Sequence, residues 1–212
     1  MKNIVILISG RGSNMQALLE AELPCRIAAV ISNKADAGGL DIARQHCIPT
    51  AVVSHRDHPD RASFDTALAQ VIDDFHADFV ILAGFMRILT ADFVNRYKGR
   101  LINIHPSLLP AYGGLDTHER ALKDGVKIHG CTVHFVTPDL DHGPIIIQAA
   151  VPVLYHDTPQ TLAQRVLHEE HRIYPQAIRW LCADQIELME DGRVLLRRHK
   201  QIGYALISPS LE

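Results

Sequence analysis

Apolar residues in the first half of the chain fall in short unbroken runs. Each run is followed by a stretch in which they recur every three or four positions. Ile4 to Ile8, Ile27 to Ile31, Ala51 to Val53 and Phe79 to Leu82 read as strands, with helices over Asn14 to Ala21, Leu40 to His46 and Ala62 to Phe75. Continuous Val, Ile and Leu runs of this length suit parallel strands covered on both faces by helices. The strand–helix order predicts right-handed crossovers and an open, twisted, mostly parallel α/β sheet of the doubly wound kind.

The second half changes character. Leu101 to Ile104 is a further strand, leading into a long irregular loop with Pro106, Pro110, Gly113 and Gly114. Gly130 to Val136 and Ile145 to Val153 are β-rich and flank Pro138 to Pro144, which predicts an antiparallel pair joined by a loop. Thr158 to Leu181 predicts a long helix, kinked or interrupted at Pro175. Glu187 to Leu196, turning at Asp191-Gly192, predicts a terminal hairpin. No repeat, low-complexity tract or linker divides the sequence, so one domain over residues 1–212 is expected.

Composition narrows the class of function. Hydrophobic residues make up 47% and charged residues 21% of the 212, as in ordinary globular proteins. No run approaches the roughly 18 to 20 apolar residues of a membrane span, and the short opening run behind one lysine is a strand rather than a signal peptide. A net charge of -3 argues against a duplex or tRNA partner, because such affinity is carried by Lys and Arg on phosphates. Cys25, Cys47, Cys131 and Cys182 are scattered and form no C-x-x-C pair, so reduced thiols in a cytoplasmic protein are expected. Thirteen histidines raise the question of a metal. No H-E-x-x-H occurs, and His168-Glu169-Glu170-His171 has the wrong spacing for two imidazoles one turn apart, so no metal is expected.

Three motifs carry candidate chemistry. Ser9-Gly10-Arg11-Gly12-Ser13-Asn14 follows the first strand and opens a helix, where backbone N–H groups and the helix dipole favour a phosphate. A tight turn with a serine or asparagine cap is the plainer alternative. The stretch lacks both the G-x-x-x-x-G-K-[ST] pattern and the third glycine of the dinucleotide fingerprint, which favours a monophosphate. In Ile102-Asn103-Ile104-His105-Pro106, Asn103 and His105 alternate with isoleucines and project to one face of a strand end. Such an Asn can donate to a developing oxyanion and such a His can move a proton, although the two also suit a structural pair. Asp139-Leu140-Asp141-His142-Gly143-Pro144 reads by itself as a turn.

Taken together, the motifs carry a resemblance. The chain resembles the glycinamide ribonucleotide formyltransferases along nearly its whole length. The resemblance rests on Leu7 to Asn14, Ile31-Ser32-Asn33-Lys34, Leu82 to Leu89, Asn103 to Pro110, Gly130 to Val136 and Leu140 to Pro144. It implies a Rossmann-like formyltransferase fold, with residues 1–100 as a nucleotide-binding half and 101–212 as a catalytic and folate-binding half. It also implies transfer of the formyl group of 10-formyltetrahydrofolate, a cosubstrate, to the amine of 5'-phosphoribosylglycinamide in purine biosynthesis. The set matching the family's catalytic residues is Asn103, His105 and Asp141. Asn103 and protonated His105 would stabilise the tetrahedral oxyanion. Asp141 would keep His105 charged, as a nearby carboxylate does, and help relay a proton to the folate nitrogen through water. Phosphate would lie on Gly12, Ser13 and Asn14, and Glu170 would contact the ribonucleotide. Folate would lie against Arg87, Ile88, Leu89, Asn103, Val136, Leu140 and Asp141. Phe85 and Met86 are read as packing residues. A monomer or homodimer without nucleic-acid or membrane partners is expected.

The sequence departs from the family pattern at three places. Ala111 stands where a basic or bulky residue is common before Tyr, and Asp116 where histidine can occur. Leu167 stands where some relatives use a glutamine to touch the ribonucleotide, and it cannot replace an amide's hydrogen bonds. Formyltetrahydrofolate hydrolases resemble this pattern but generally add an N-terminal regulatory domain and lack the proline after the histidine. Methionyl-tRNA formyltransferases have glycine there and add a C-terminal tRNA-binding domain. His105-Pro106, the strand that opens the chain and the short, non-basic tail weigh against both. A dehydrogenase lacks support without the third glycine, and a non-catalytic nucleotide sensor would leave the Asn-His-Asp set without a use.

Overall fold

The computed structural model describes residues 1–197 and Ser208. The chain runs β1 (Lys2–Ile8), α1 (Ser13–Glu20), β2 (Cys25–Ser32), α2 (Gly39–Gln45), β3 (Thr50–Val52), α3 (Arg61–Asp74), β4 (Phe79–Leu82) and α4 (Ala91–Arg96). It continues through β5 (Leu101–His105), α5 (Thr117–Lys123), β6 (Ile128–Phe135), β7 (Ile145–Pro152), α6 (Pro159–Cys182), β8 (Ile186–Leu188) and β9 (Val194–Leu196). The seven-stranded sheet has the order β3-β2-β1-β4-β5-β6-β7, and β8 and β9 form a separate hairpin. This is the mostly parallel α/β sheet with an antiparallel C-terminal portion that the hydrophobic pattern predicts. The predicted hairpin at Asp191-Gly192 also forms. The single-domain expectation extends over residues 198–207 and 209–212, which lie outside the described residues.

Two compact units divide the chain. The first comprises Met1–Asn103 with Phe135–Pro138. Its axis is β1, paired in parallel with β2 on one side and β4 on the other. Ile4 to Ile8 are all fully buried, so the run shows no polar alternation, because both faces of the strand are covered. The helix α3 contributes Phe64, Leu68 and Ile72 to this core, a stripe at four-residue spacing. Each such side chain contributes about 1.5 to 3 kcal/mol by leaving water. Asp60 starts α3 by accepting a hydrogen bond from the Ser63 N–H at 2.8 Å. Six-residue α4 escaped the sequence reading because it is too short to show a helical period. Its signal is the cap: the Thr90 hydroxyl accepts from the Phe93 N–H, while the Thr90 N–H donates to Asp65 at 2.6 Å.

The second unit comprises Ile104–His134 and the chain from Asp139 onward. Here α5 occupies part of what was expected to be loop; its seven residues are again too few to show a period. β6 and β7 pair antiparallel, with Gly130 opposite Ala150 and Cys131 opposite Ala149. The 24-residue helix α6 lies against β7 and buries Leu162, Val166, Ile173, Tyr174, Ala177, Ile178 and Leu181. Thr158 and Thr161 cap it reciprocally and Pro159 begins it, where a missing N–H costs nothing. Arg165 donates twice to Asp157, at 2.7 and 2.9 Å, and once to the Pro152 carbonyl. These hydrogen bonds hold the Asp157 carboxyl well below the usual carboxylate range.

The interruption expected at Pro175 does not occur, because α6 continues past it. A proline inside a helix costs about 3 kcal/mol through its absent N–H and its ring. Tyr174, Pro175, Ala177 and Ile178 are all buried around that point, and their burial offsets the loss.

Gly130 is required by close approach. A Cβ there would stand 1.9 Å from the Ala149 carbonyl oxygen and 2.9 Å from Leu108 Cδ2. Gly130→Ala should therefore destabilise the protein by about 3 kcal/mol, the upper end for forcing atoms into a packed interior. Urea denaturation measures this directly, and an unchanged midpoint would refute the close approach.

Candidate active site

At the end of β1 the chain turns through Ser9 to Gly12 into α1. Ser9 is buried; its hydroxyl donates to Asn33 Oδ1 at 2.6 Å and accepts from the Met86 N–H at 2.8 Å. The Ser9 N–H donates to the Gly84 carbonyl at 3.1 Å. Ser9 thus ties the turn to the segment after β4. Gly12 has φ 78°, and a Cβ on it would come within 3.0 Å of Gly39 Cα. The Gly39 N–H donates to the Gly10 carbonyl at 3.0 Å, pressing the start of α2 against the turn. Gly12, Ser13 and Asn14 open the first turn of α1, with Ser13 exposed. Amides there lack carbonyl partners within the helix and carry the positive end of its dipole, which suits an anion.

The segment carrying Arg87, Ile88 and Leu89 follows β4 in the same unit. The Arg87 guanidinium lies over the Phe64 ring, 4.8 Å from its centroid, and Leu89 packs on the core while Ile88 is exposed. Phe85 packs there too, as expected. Met86 does not: its side chain is 65% exposed. Its backbone N–H is bound to Ser9, and its side chain stands away from the core. Val136, half-buried, donates its N–H to the Leu101 carbonyl at 2.9 Å.

The strand β5 carries Asn103 and His105, and its extended backbone puts both on one face. His105 is buried in the second unit. Its Nδ1 lies 3.7 Å from Asp141 Oδ2, with both side chains 8% exposed. Its Nε2 lies 2.9 Å from the Tyr112 carbonyl oxygen. Asp141 sits in the turn between β6 and β7 with φ 55°, and its Oδ2 accepts from the Gly114 N–H at 2.8 Å. The gap of 3.7 Å is too long for a direct hydrogen bond, which leaves Nδ1 available to an oxygen that develops negative charge. Leu140, next to Asp141, is exposed.

Comparison with known proteins shows the family of the chain. The formyl transferase family model matches residues 2–178. A phosphoribosylglycinamide formyltransferase of Escherichia coli is 48% identical over 90% of this chain and 92% of its own length. The chain belongs to the phosphoribosylglycinamide formyltransferase family. The crystal structure of a glycinamide ribonucleotide transformylase from Symbiobacterium toebii superposes with a TM-score of 0.90 at 47% identity, covering 93% of this chain and 94% of that one. A trifunctional purine biosynthetic protein of Bos taurus is 48% identical, but this chain spans only 19% of its length.

The structure brings His105 and Asp141, far apart in the chain, together. Glu170 is buried on α6, where its charge helps to raise the pKa of Cys131, after burial itself, to about 12. That thiol is inert. Tyr112, Gly114 and His129 also surround the pair, and no motif announces them; the Gly113-Gly114 step is the one local signal. Among the described residues no group of three or more His, Cys, Asp or Glu is placed to hold a metal ion, and no helix is long and apolar enough to cross a membrane.

Gly12→Ala should weaken ribonucleotide binding about tenfold or more, because left-handed backbone disfavours a Cβ and the contact with Gly39 displaces the turn. Gly10→Ala, whose added methyl group meets open space, should do much less. Equal affinities for the two variants in calorimetry would remove the phosphate from this turn.

Proposed function

We propose that the protein transfers the formyl group of 10-formyltetrahydrofolate to the amine of 5'-phosphoribosylglycinamide, giving formylglycinamide ribonucleotide and tetrahydrofolate. The observation that carries the mechanism is the nearly water-free His105–Asp141 pair, in which His105 stands two residues beyond Asn103 on β5. The amine attacks the formyl carbon and a tetrahedral intermediate forms. Asn103 and His105 Nδ1 donate hydrogen bonds to its oxyanion, and charge stabilisation in a dry site is worth more than in water. Asp141 supports the proton on His105. The proton lost by the amine passes through water beside Asp141 to the folate nitrogen as its bond to the formyl carbon breaks.

The remaining assignments follow the same reading. Gly12, Ser13 and Asn14 hold the phosphate, and Glu170 contacts the ribonucleotide. Arg87, Ile88, Leu89, Val136 and Leu140, with Asn103 and Asp141, receive the folate. The exposed Ile88 and Leu140 offer apolar surface for a flat ring. The protein acts in the cytoplasm as a monomer or homodimer on small molecules, in de novo purine synthesis.

If the three residues act on the intermediate, their loss damages turnover more than binding. Asn103→Ala should lower kcat about 10²- to 10³-fold, the usual cost of one oxyanion donor. Asp141→Asn keeps the shape but removes the charge, and should be at least as severe. Ribonucleotide affinity by calorimetry should stay near wild type in both. Near-normal turnover in a folded Asp141→Asn variant would sink the mechanism.

Leu167 lies one turn before Glu170 on α6 and is half-buried. Leu167→Gln should lower the ribonucleotide KM about two- to tenfold, since one neutral hydrogen bond nets about 0.5 to 1.5 kcal/mol. An unchanged or raised KM would mean that another residue makes that contact.

A further inference from the structure

The loop from Ala111 to Asp116 makes contacts that the roles above do not use. It pins both members of the pair through its backbone: the Tyr112 carbonyl accepts from His105 Nε2–H at 2.9 Å, and the Gly114 N–H donates to Asp141 Oδ2 at 2.8 Å. An acceptor on Nε2 fixes the rotation of the imidazole and so decides where Nδ1 points. The contact therefore aims the nitrogen that the mechanism needs.

The loop backbone does not hold this shape by local preference. Tyr112 has φ 55°, a left-handed conformation that costs a non-glycine residue roughly 1 to 2 kcal/mol and persists only when the surroundings enforce it. The Tyr112 side chain supplies that enforcement. The His129 ring meets the Tyr112 ring edge-on, with centroids 5.7 Å apart and planes at 77°. The Arg120 guanidinium lies 5.5 Å from the Tyr112 ring centroid. The same guanidinium donates to the Gly113 carbonyl at 2.6 Å and the Leu115 carbonyl at 3.3 Å, gripping the loop on either side of Gly114. Behind the tyrosine, His129 is 1% exposed and stands edge-on to His118 at 5.3 Å. Burial, aided by His118, lowers the His129 pKa to about 4, so at neutral pH the wall behind Tyr112 is an uncharged ring.

We propose that Tyr112 is a positioning residue for formyl transfer: its ring, seated against His129 and beside Arg120, holds its own carbonyl on His105 Nε2 and so directs Nδ1 toward the reacting atoms. No proton transfer is assigned to the phenol. The proposal rests on the reading of His105 and Asp141 as the reacting pair.

The test compares Tyr112→Ala with Tyr112→Phe in the full chain, with His105→Asn as the control for the underlying reading. Removing the ring should lower kcat about 10- to 100-fold, the scale of a misplacement of about 1 Å, while the ribonucleotide KM changes less than about threefold. Tyr112→Phe keeps the ring, loses only the hydroxyl's interaction with exposed Asp124, and should recover most of kcat. Nitrogen-15 NMR of the histidine rings supplies a second readout. The His105 Nε2–H signal, assigned by its loss in His105→Asn, should persist in the Phe variant and exchange away in the Ala variant. Should Tyr112→Ala fold poorly, Arg120→Met removes the grip on the loop and should lower kcat in the same direction. Wild-type kcat in folded Tyr112→Ala with an unchanged His105 signal, beside an inactive His105→Asn, would overturn this proposal alone. Full activity in His105→Asn would overturn the reading beneath it as well.

Discussion

His105 and Asp141 approach each other in a nearly water-free setting, and the backbone around them is organised by that approach. A carboxylate kept from water needs donors, and the Gly114 N–H provides one to Asp141. A buried imidazole likewise needs an acceptor, and the Tyr112 carbonyl provides it. Both partners come from one loop, so the loop must take a single shape. Its left-handed residues at Tyr112, Gly114 and Asp116 express that requirement, and the hydroxyls of Ser107 and Thr117 bonding to the Ala111 and Pro106 carbonyls brace its two ends.

On β6, burial rather than ion pairing sets the charge of two titratable groups. His129 and Cys131 are neighbours on β6, and desolvation moves one pKa down and the other up, so neither carries charge at neutral pH. His118 and His129 serve as flat packing surfaces with polar edges.

The turn from Ser9 to Gly12 rests on a different constraint, close approach of backbone to backbone. Gly12 and Gly39 are within a methyl group of each other, and Ser9 ties the same turn to the segment after β4. The family motif over Ser9 to Asn14 therefore mixes two kinds of residue. Ser9 and Gly12 shape the turn, whereas Ser13 and Asn14 present the start of α1.

Asn103, His105 and Asp141 stand out as a set only through the family resemblance, whereas the order of strands and helices and the buried parallel core were legible along the sequence itself. The latter two depend on periodicity or residue type within a short window, and the 3.6- and 2-residue periods are local properties of the backbone. Short α4 and α5 fall below that window, and α6 runs on through Pro175 because the cost of its missing N–H is local and burial of its neighbours offsets it. Met86, expected to pack, has its side chain largely in solvent. Tertiary structure alone decided the 3.7 Å between His105 and Asp141, that Gly130 has no room for a methyl group, and that Tyr112 supplies a carbonyl to the imidazole. Those facts are distances between segments far apart in the chain, set by how whole elements pack, and no local pattern encodes them.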